Sequence, residues 1–322
     1  MIEHLRIPYS QARGERGLDH LLTPRDTLDK HLQHFHIFCK VEGFAPKTIQ
    51  NYDDVLRPFI AYCRSELDVN DASDLTAYHV RSYLLTFKDR VKPYTFYDYF
   101  RNIKRFFNWL VGEGILAISP MSNMKPHRVP QILIKPFQLE DLRTLLYLCD
   151  NKTFLDIRNK AIILVFLETG LRLGELSNIQ IADINFNRGI IKVMGKGAKE
   201  RVVAIQQRTQ RAILRYLLMR KDTYRCLWVT EEGTPITAHG IQTMIKRLGK
   251  RANLQNVRCS PHTFRHTSAT MSLDNGAKEF EVQAMLGHST LIMTRRYVAS
   301  LNSEKAAEAH KRFSPVEHLK LE

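Results

Sequence analysis

Apolar positions in the first third of the chain recur with a helical period. Leu28, Leu32, Phe35, Ile37 and Phe38 mark a helix over 27–42. Ala45-Pro46 breaks that rhythm, and Pro46 opens a second helix to about Leu67. Its apolar face is Ile49, Tyr52, Val55, Leu56, Phe59 and Ile60, and Pro58 inside it predicts a kink. Asp74 or Thr76 caps a third helix over 77–89. A fourth runs from about Tyr94 to Val111, with Phe96, Tyr99, Phe100, Ile103, Phe107 and Leu110 inward. These elements predict a small four-helix bundle.

Residues 114–136 change character: Gly114, Pro120, Pro126, Pro130 and Pro136 punctuate them, and Lys125, Arg128 and Lys135 make them basic, as in a semi-rigid linker. A second domain begins at 137. Helices are expected over 138–149, over the strongly apolar 154–168 that ends at Thr169-Gly170, and over 172–179. The period then shifts to two, with Ile190, Ile191, Val193 and Met194 on one strand and Val202, Val203 and Ile205 on the next. Helices follow over 207–222, 238–253, 261–276, 279–286, 290–301 and 302–313. The fold class expected is mainly α. It comprises an arm over 1–26, a helical domain over 27–113, the linker over 114–136, and a mostly helical domain over 137–322 with a small antiparallel sheet.

Composition adds a partner. The net charge is +15, and residues 1–120 hold 16 Lys and Arg against 15 Asp and Glu, whereas 121–322 hold 32 against 18. Such an excess suits a polyanion, contacted most heavily by the second half. In the bundle, Tyr97, Arg101 and Arg105 recur on one face of the fourth helix with Lys104 alongside, and Lys47, Thr48 and Asn51 stand at the start of the second helix. These are candidate contacts to a DNA backbone or groove edge; the competing reading is a solvated helix face. No apolar run reaches membrane-spanning length, and no secretory signal is evident. Five scattered cysteines without a CxxC fit reduced thiols in a cytoplasmic protein.

Candidate chemistry concentrates at 260–297. Ser260 reads as an N-cap and Pro261 as the first helical position, so His262 and Arg265 share the start of a helix, a place suited to an anion. Gly287 reads as a helix end, with His288 in the turn and Tyr297 beyond it. A phosphodiester reacts readily only when its developing charge is stabilised, and arginine's planar fork does that. Arg172, just after the Gly170 turn, and Arg265 supply two forks. Lys196, in a glycine turn, is positioned to serve as a general acid, and a tyrosine is a competent covalent nucleophile.

Thr169-Gly170-Leu171-Arg172-Leu173-Gly174-Glu175-Leu176, Gly195-Lys196-Gly197, His262-Thr263-Phe264-Arg265-His266, Leu286-Gly287-His288 and Thr294-Arg295-Arg296-Tyr297 occur in that order. The set resembles the successive motifs of the tyrosine recombinases, the phage-integrase and Xer-type enzymes, over roughly 28–313. The resemblance implies a site-specific recombinase. Tyr297 would attack the scissile phosphate to form a 3′-phosphotyrosyl link, Arg172 and Arg265 would hold the non-bridging oxygens, and Lys196 would protonate the departing 5′-oxygen. His262 and His288 would assist by hydrogen bonding or proton transfer, and Glu175 would orient Arg172. It implies no metal and no cofactor. It further implies a core-binding domain at 28–112 that clamps duplex DNA with the catalytic domain, and four protomers exchanging strands through a Holliday junction. The tail, 303–313 above all, would dock on a neighbour, although its amphipathic pattern equally fits packing on its own domain. The short arm favours a simple recombination site for a mobile element or for dimer resolution; an accessory protein is left undefined.

Four rivals stand beside this reading. His262 and His266 are spaced for zinc on a helix, but Thr263 replaces the glutamate of a metalloprotease helix. Gly195-Lys196-Gly197 lacks the spacing of a nucleotide-phosphate loop. A type IB topoisomerase-like strand cleavage shares the chemistry, and a non-catalytic DNA-binding protein would share the scaffold.

Overall fold

The computed structural model describes residues 27–126, 129, 134–150, 152–195 and 200–287, which divide between two compact units, 1–131 and 132–322. The fold is mainly α with one small antiparallel sheet, as the periodicities predict.

In the first unit, α1 spans Leu28–Val41, α2 Pro46–Leu67, α3 Ala77–Leu85 and α4 Pro93–Gly112. Their apolar faces meet around Phe35, Leu56, Phe59, Ile103, Phe106 and Phe107, all fully buried. Ile37, grouped by period with the apolar face of α1, instead points to solvent. Helix α2 runs on through Pro58, and Pro46 supplies its first position. Thr76, not Asp74, caps α3 in a reciprocal capping box with His79. Helix α3 is shorter than its expected end at 89. Past Leu85 the chain makes three-residue turns (Thr86 N–H to Tyr83 O, Phe87 N–H to Leu84 O), and the Thr86 hydroxyl also donates to Tyr83 O, drawing that carbonyl out of the helical ladder. The stretch read as the start of a linker holds Leu116 and Met121, which are buried in the bundle core.

In the second unit, α5 spans Leu139–Tyr147, α6 Phe154–Thr169 and α7 Leu173–Ser177. Strands β1 (Ile184–Asn185), β2 (Ile190–Met194) and β3 (Glu200–Ala204) form the sheet, in that order. The two-residue β1, too short for a period, was not expected; it pairs Ile184 with Ile191. Helices α8 (Gln207–Met219), α9 (Ala238–Arg251), α10 (Pro261–Asp274) and α11 (Glu279–Leu286) complete the described part. Helices expected over 290–313 lie outside the described residues.

Helix α6 is the hub. It is apolar nearly all round, buries Ala161, Ile162, Ile163, Val165 and Phe166, and packs against α8 and α10. Phe264 of α10 lies between Phe137 and Phe166, with ring centroids 4.7 and 5.9 Å away. Burying a side chain of that size contributes roughly 2–3 kcal/mol and sets α10 against the end of α6. Trp228, buried, donates its indole N–H to Leu176 O at 3.0 Å and so satisfies a carbonyl at the end of α7.

Candidate active site: three arginines at one helix end

Three short features converge on the C-terminal end of α11. Helix α6 stops at Gly170, whose positive φ of 59° lets the chain turn at once into Arg172. Arg172 precedes α7, and its N–H donates to Glu175 Oε2 at 2.8 Å, closing the first turn. Helix α10 starts at Ser260, whose hydroxyl accepts from Thr263 N–H, with Pro261 next. Helix α11 ends at Gly287, also left-handed, with φ 65°.

The guanidinium of Arg265 is buried and donates to Gly170 O at 2.7 Å and to Leu286 O at 2.9 Å, bridging the ends of α6 and α11. Arg172 donates from Nη2 to Gly287 O at 3.1 Å and from Nη1 to Glu175 Oε1 at 2.9 Å. A third arginine joins them: Arg201 donates from Nε to Met285 O at 3.3 Å, and from Nη1 and Nη2 to the two oxygens of Glu175, both at 2.9 Å. Three consecutive carbonyls, 285 to 287, thus each accept from a different arginine. A helix C-terminus carries partial negative charge, so this end suits cations.

Glu175 balances the cluster. Burial pushes its carboxyl up, but hydrogen bonds from Arg201 and from the backbone and side chain of Arg172 outweigh that and hold it down at about 2. It is therefore charged at neutral pH. Arg172 is the most open member: its side chain is 38% exposed, against 15% for Arg201 and 5% for Glu175.

His262 and Arg265 were expected on one face. They flank the same helix turn, but His262 faces solvent while Arg265 is buried. His266 is also buried, which pushes its imidazole pKa down, so the two histidines do not present a shared metal face. Among the described residues, no group of three or more His, Cys, Asp and Glu is placed to hold a metal ion. Lys196, His288 and Tyr297 lie outside the described residues.

The chain matches the model of the phage integrase family over residues 136–304, and that of the phage integrase N-terminal SAM-like domain over 31–115. The first match alone takes in more than half of the sequence and includes every motif from Arg172 to Tyr297. The chain belongs to the phage integrase family. Tyrosine recombinase XerD of Halalkalibacterium halodurans is 30% identical over 280 residues, covering 84% of this chain and 93% of that protein. The fold resembles that of the XerH site-specific recombinase bound to a palindromic difH substrate in a post-cleavage complex, with a TM-score of 0.70 at 20% identity over 86% of this chain and 83% of that one. It also resembles a lambda integrase tetramer bound to a Holliday junction, with a TM-score of 0.69 at 15% identity over 87% and 83% of the two chains. This integrase-family chain is a tyrosine-type site-specific recombinase, and the comparisons do not favour a topoisomerase or a non-catalytic scaffold.

In the recombinase's first unit, Lys47, Thr48, Arg101 and Arg105 are exposed, and Asn51, Tyr97 and Lys104 are half-buried. Asp98 gathers two of the candidates, accepting from Arg101 at 2.9 Å and from Asn51 at 3.5 Å. Lys104 is drawn to Met124 O at 3.3 Å, and Arg105 lies over the Phe44 ring at 5.8 Å. Sequence reasoning missed Arg201. The signal was strand parity: Arg201, Val203 and Ile205 share one side of the period, and Val203 and Ile205 are buried.

Proposed function

We propose that this recombinase cleaves and rejoins duplex DNA through a phosphotyrosine on Tyr297. The Tyr297 hydroxyl oxygen forms a bond to the scissile phosphorus, and the bond from phosphorus to the 5′-oxygen breaks. Lys196 gives a proton to that oxygen, and the tyrosine proton passes to His262 or His288. Arg172 and Arg265 carry the negative charge that develops on the non-bridging oxygens. The bond energy is kept in the phosphotyrosine, so the reverse attack by a 5′-hydroxyl reseals the strand.

The observation that carries this reading is the approach of Arg172 and Arg265, from two different elements, to the adjacent carbonyls of Gly287 and Leu286. Two forks anchored side by side suit one tetrahedral anion.

The reading extends to the assembly. The helical domain at 27–113 contacts the DNA backbone through Lys47, Thr48, Asn51, Tyr97, Arg101, Lys104 and Arg105, joined by the basic segment at 114–136 to the catalytic domain at 137–322. Protomers associate as a tetramer on two sites, through the C-terminal tail, and exchange strands through a Holliday junction. The setting is the cytoplasm, on the DNA of a mobile element or a replicon dimer; among the described residues no helix is long and apolar enough to cross a membrane.

The test is incubation with duplex fragments from either side of its own gene, followed by denaturing gels. A covalent protein–DNA adduct is expected with the wild type and none with Tyr297→Phe, which still binds. An adduct that persists in Tyr297→Phe overturns the assignment of the nucleophile.

A further inference from the structure

Arg201 makes no approach to solvent comparable to that of Arg172, yet it is tied into the same cluster. Both of its terminal nitrogens are spent on Glu175, and its Nε holds Met285 O. On β3 it faces inward because it pairs with Val193 on the core side of the hairpin. Gly287 leaves room for it: a Cβ there would lie 3.1 Å from three atoms of the Arg201 guanidinium. The hairpin, α7 and the end of α11 are thus joined through one side chain.

The consequence is electrostatic. One carboxylate, Glu175, sits between two arginines. Shared in this way, it leaves Arg172 and Arg201 with one positive charge between them, in addition to that of Arg265. Without Arg201, Glu175 would pair with Arg172 alone, through its main-chain N–H and its guanidinium, and the most exposed cation of the cluster would be neutralised. We propose that Arg201 is a positioning residue for Arg172. It shares the Glu175 carboxylate through both oxygens, so that Arg172 keeps positive charge for the scissile phosphate, and it fixes the α11 end from which the Leu-Gly-His motif continues. This rests on the reading of Arg172 as a phosphate-holding residue.

The test uses the full chain and the duplex fragments that the wild type traps covalently from DNA flanking its own gene. Single-turnover adduct formation and equilibrium DNA binding are measured for Arg201→Ala, Glu175→Gln and the double variant. Arg201→Ala is expected to slow adduct formation about 10- to 100-fold while changing affinity less than about threefold. Adding Glu175→Gln removes the carboxylate that would capture Arg172, so the double variant is expected to be at least about fivefold faster than Arg201→Ala alone. A bracing role alone predicts the opposite, a double variant as slow as Arg201→Ala or slower. Either that result or wild-type speed in Arg201→Ala overturns the proposal. Should Arg201→Ala fail to melt cooperatively, Arg201→Gln, neutral and of similar reach, takes its place with the same expected slowing, and wild-type speed in it overturns the proposal equally. A wild-type protein that traps no fragment overturns the underlying reading of function, and the role of Arg201 with it.

Discussion

Gly170 and Leu286 end two different helices, and one side chain bridges their carbonyls: Arg265 donates to both, at 2.7 and 2.9 Å. The two residues also touch. A Cβ on Gly170 would lie 2.5 Å from Leu286 Cδ2. The position of the Arg265 guanidinium is therefore set by how closely α6 and α11 approach.

That contact makes Gly170→Ala a sensitive change. Alanine strains the left-handed backbone and pushes on Leu286 and on the Ser268 hydroxyl, 3.1 Å from the new carbon. A loss of about 2–4 kcal/mol is expected in urea unfolding at constant m-value, from overpacking plus backbone strain. Adduct formation is expected to fall further than stability explains, because the Arg265 acceptors separate.

Arg265→Lys separates charge from geometry. A lysine keeps the cation but cannot bridge Gly170 O and Leu286 O with a planar fork. The rate of adduct formation is expected to fall by roughly 100- to 1,000-fold, the usual loss when a preorganised oxyanion donor is removed. Duplex affinity in gel shifts is expected to change little.

Glu175 predicts a pH dependence. Its carboxyl is held at about 2, below its ordinary 4.5, so its contribution to stability is complete above pH 4.5 and is lost as pH falls toward 2. At neutral pH Glu175→Gln is expected to cost on the order of 3 kcal/mol. The stability difference between wild type and variant, followed by urea unfolding, is expected to shrink steadily below pH 4.5. A constant difference down to pH 3 would show that the carboxylate is not held by the two arginines.

Binding to duplex DNA is expected to weaken steeply with salt, because basic side chains on phosphates release counterions. A log–log plot of affinity against salt is expected to have a slope of about −5 or steeper, at roughly −0.9 per phosphate contact. Removing Lys47 or Arg105 is expected to make that slope shallower by about one each. A slope near zero would rule out the proposed basic DNA-contact surface.

The sequence by itself determined the described helices (apart from the end of α3), the order of the motifs and the family. Helical period, Pro at the start of α2 and α10, and Gly at the ends of α6 and α11 are local signals, and local physics is enough to read them. The pairing of Arg172 with Glu175 belongs to the same class, since three residues along one turn bring them together whatever surrounds them. Tertiary structure alone decided the rest. Arg201 meets Glu175 across 26 residues and Met285 across 84, Arg265 meets Gly170 across 95, and Asn51 meets Asp98 across 47. Leu116 and Met121 left the expected linker for the bundle core because apolar side chains were available to a surface that could bury them. A periodic pattern tells which side of an element is buried, but not which other element covers it. The convergence of three arginines on one helix end therefore emerged only when α6, α7, α10, α11 and the hairpin were packed together.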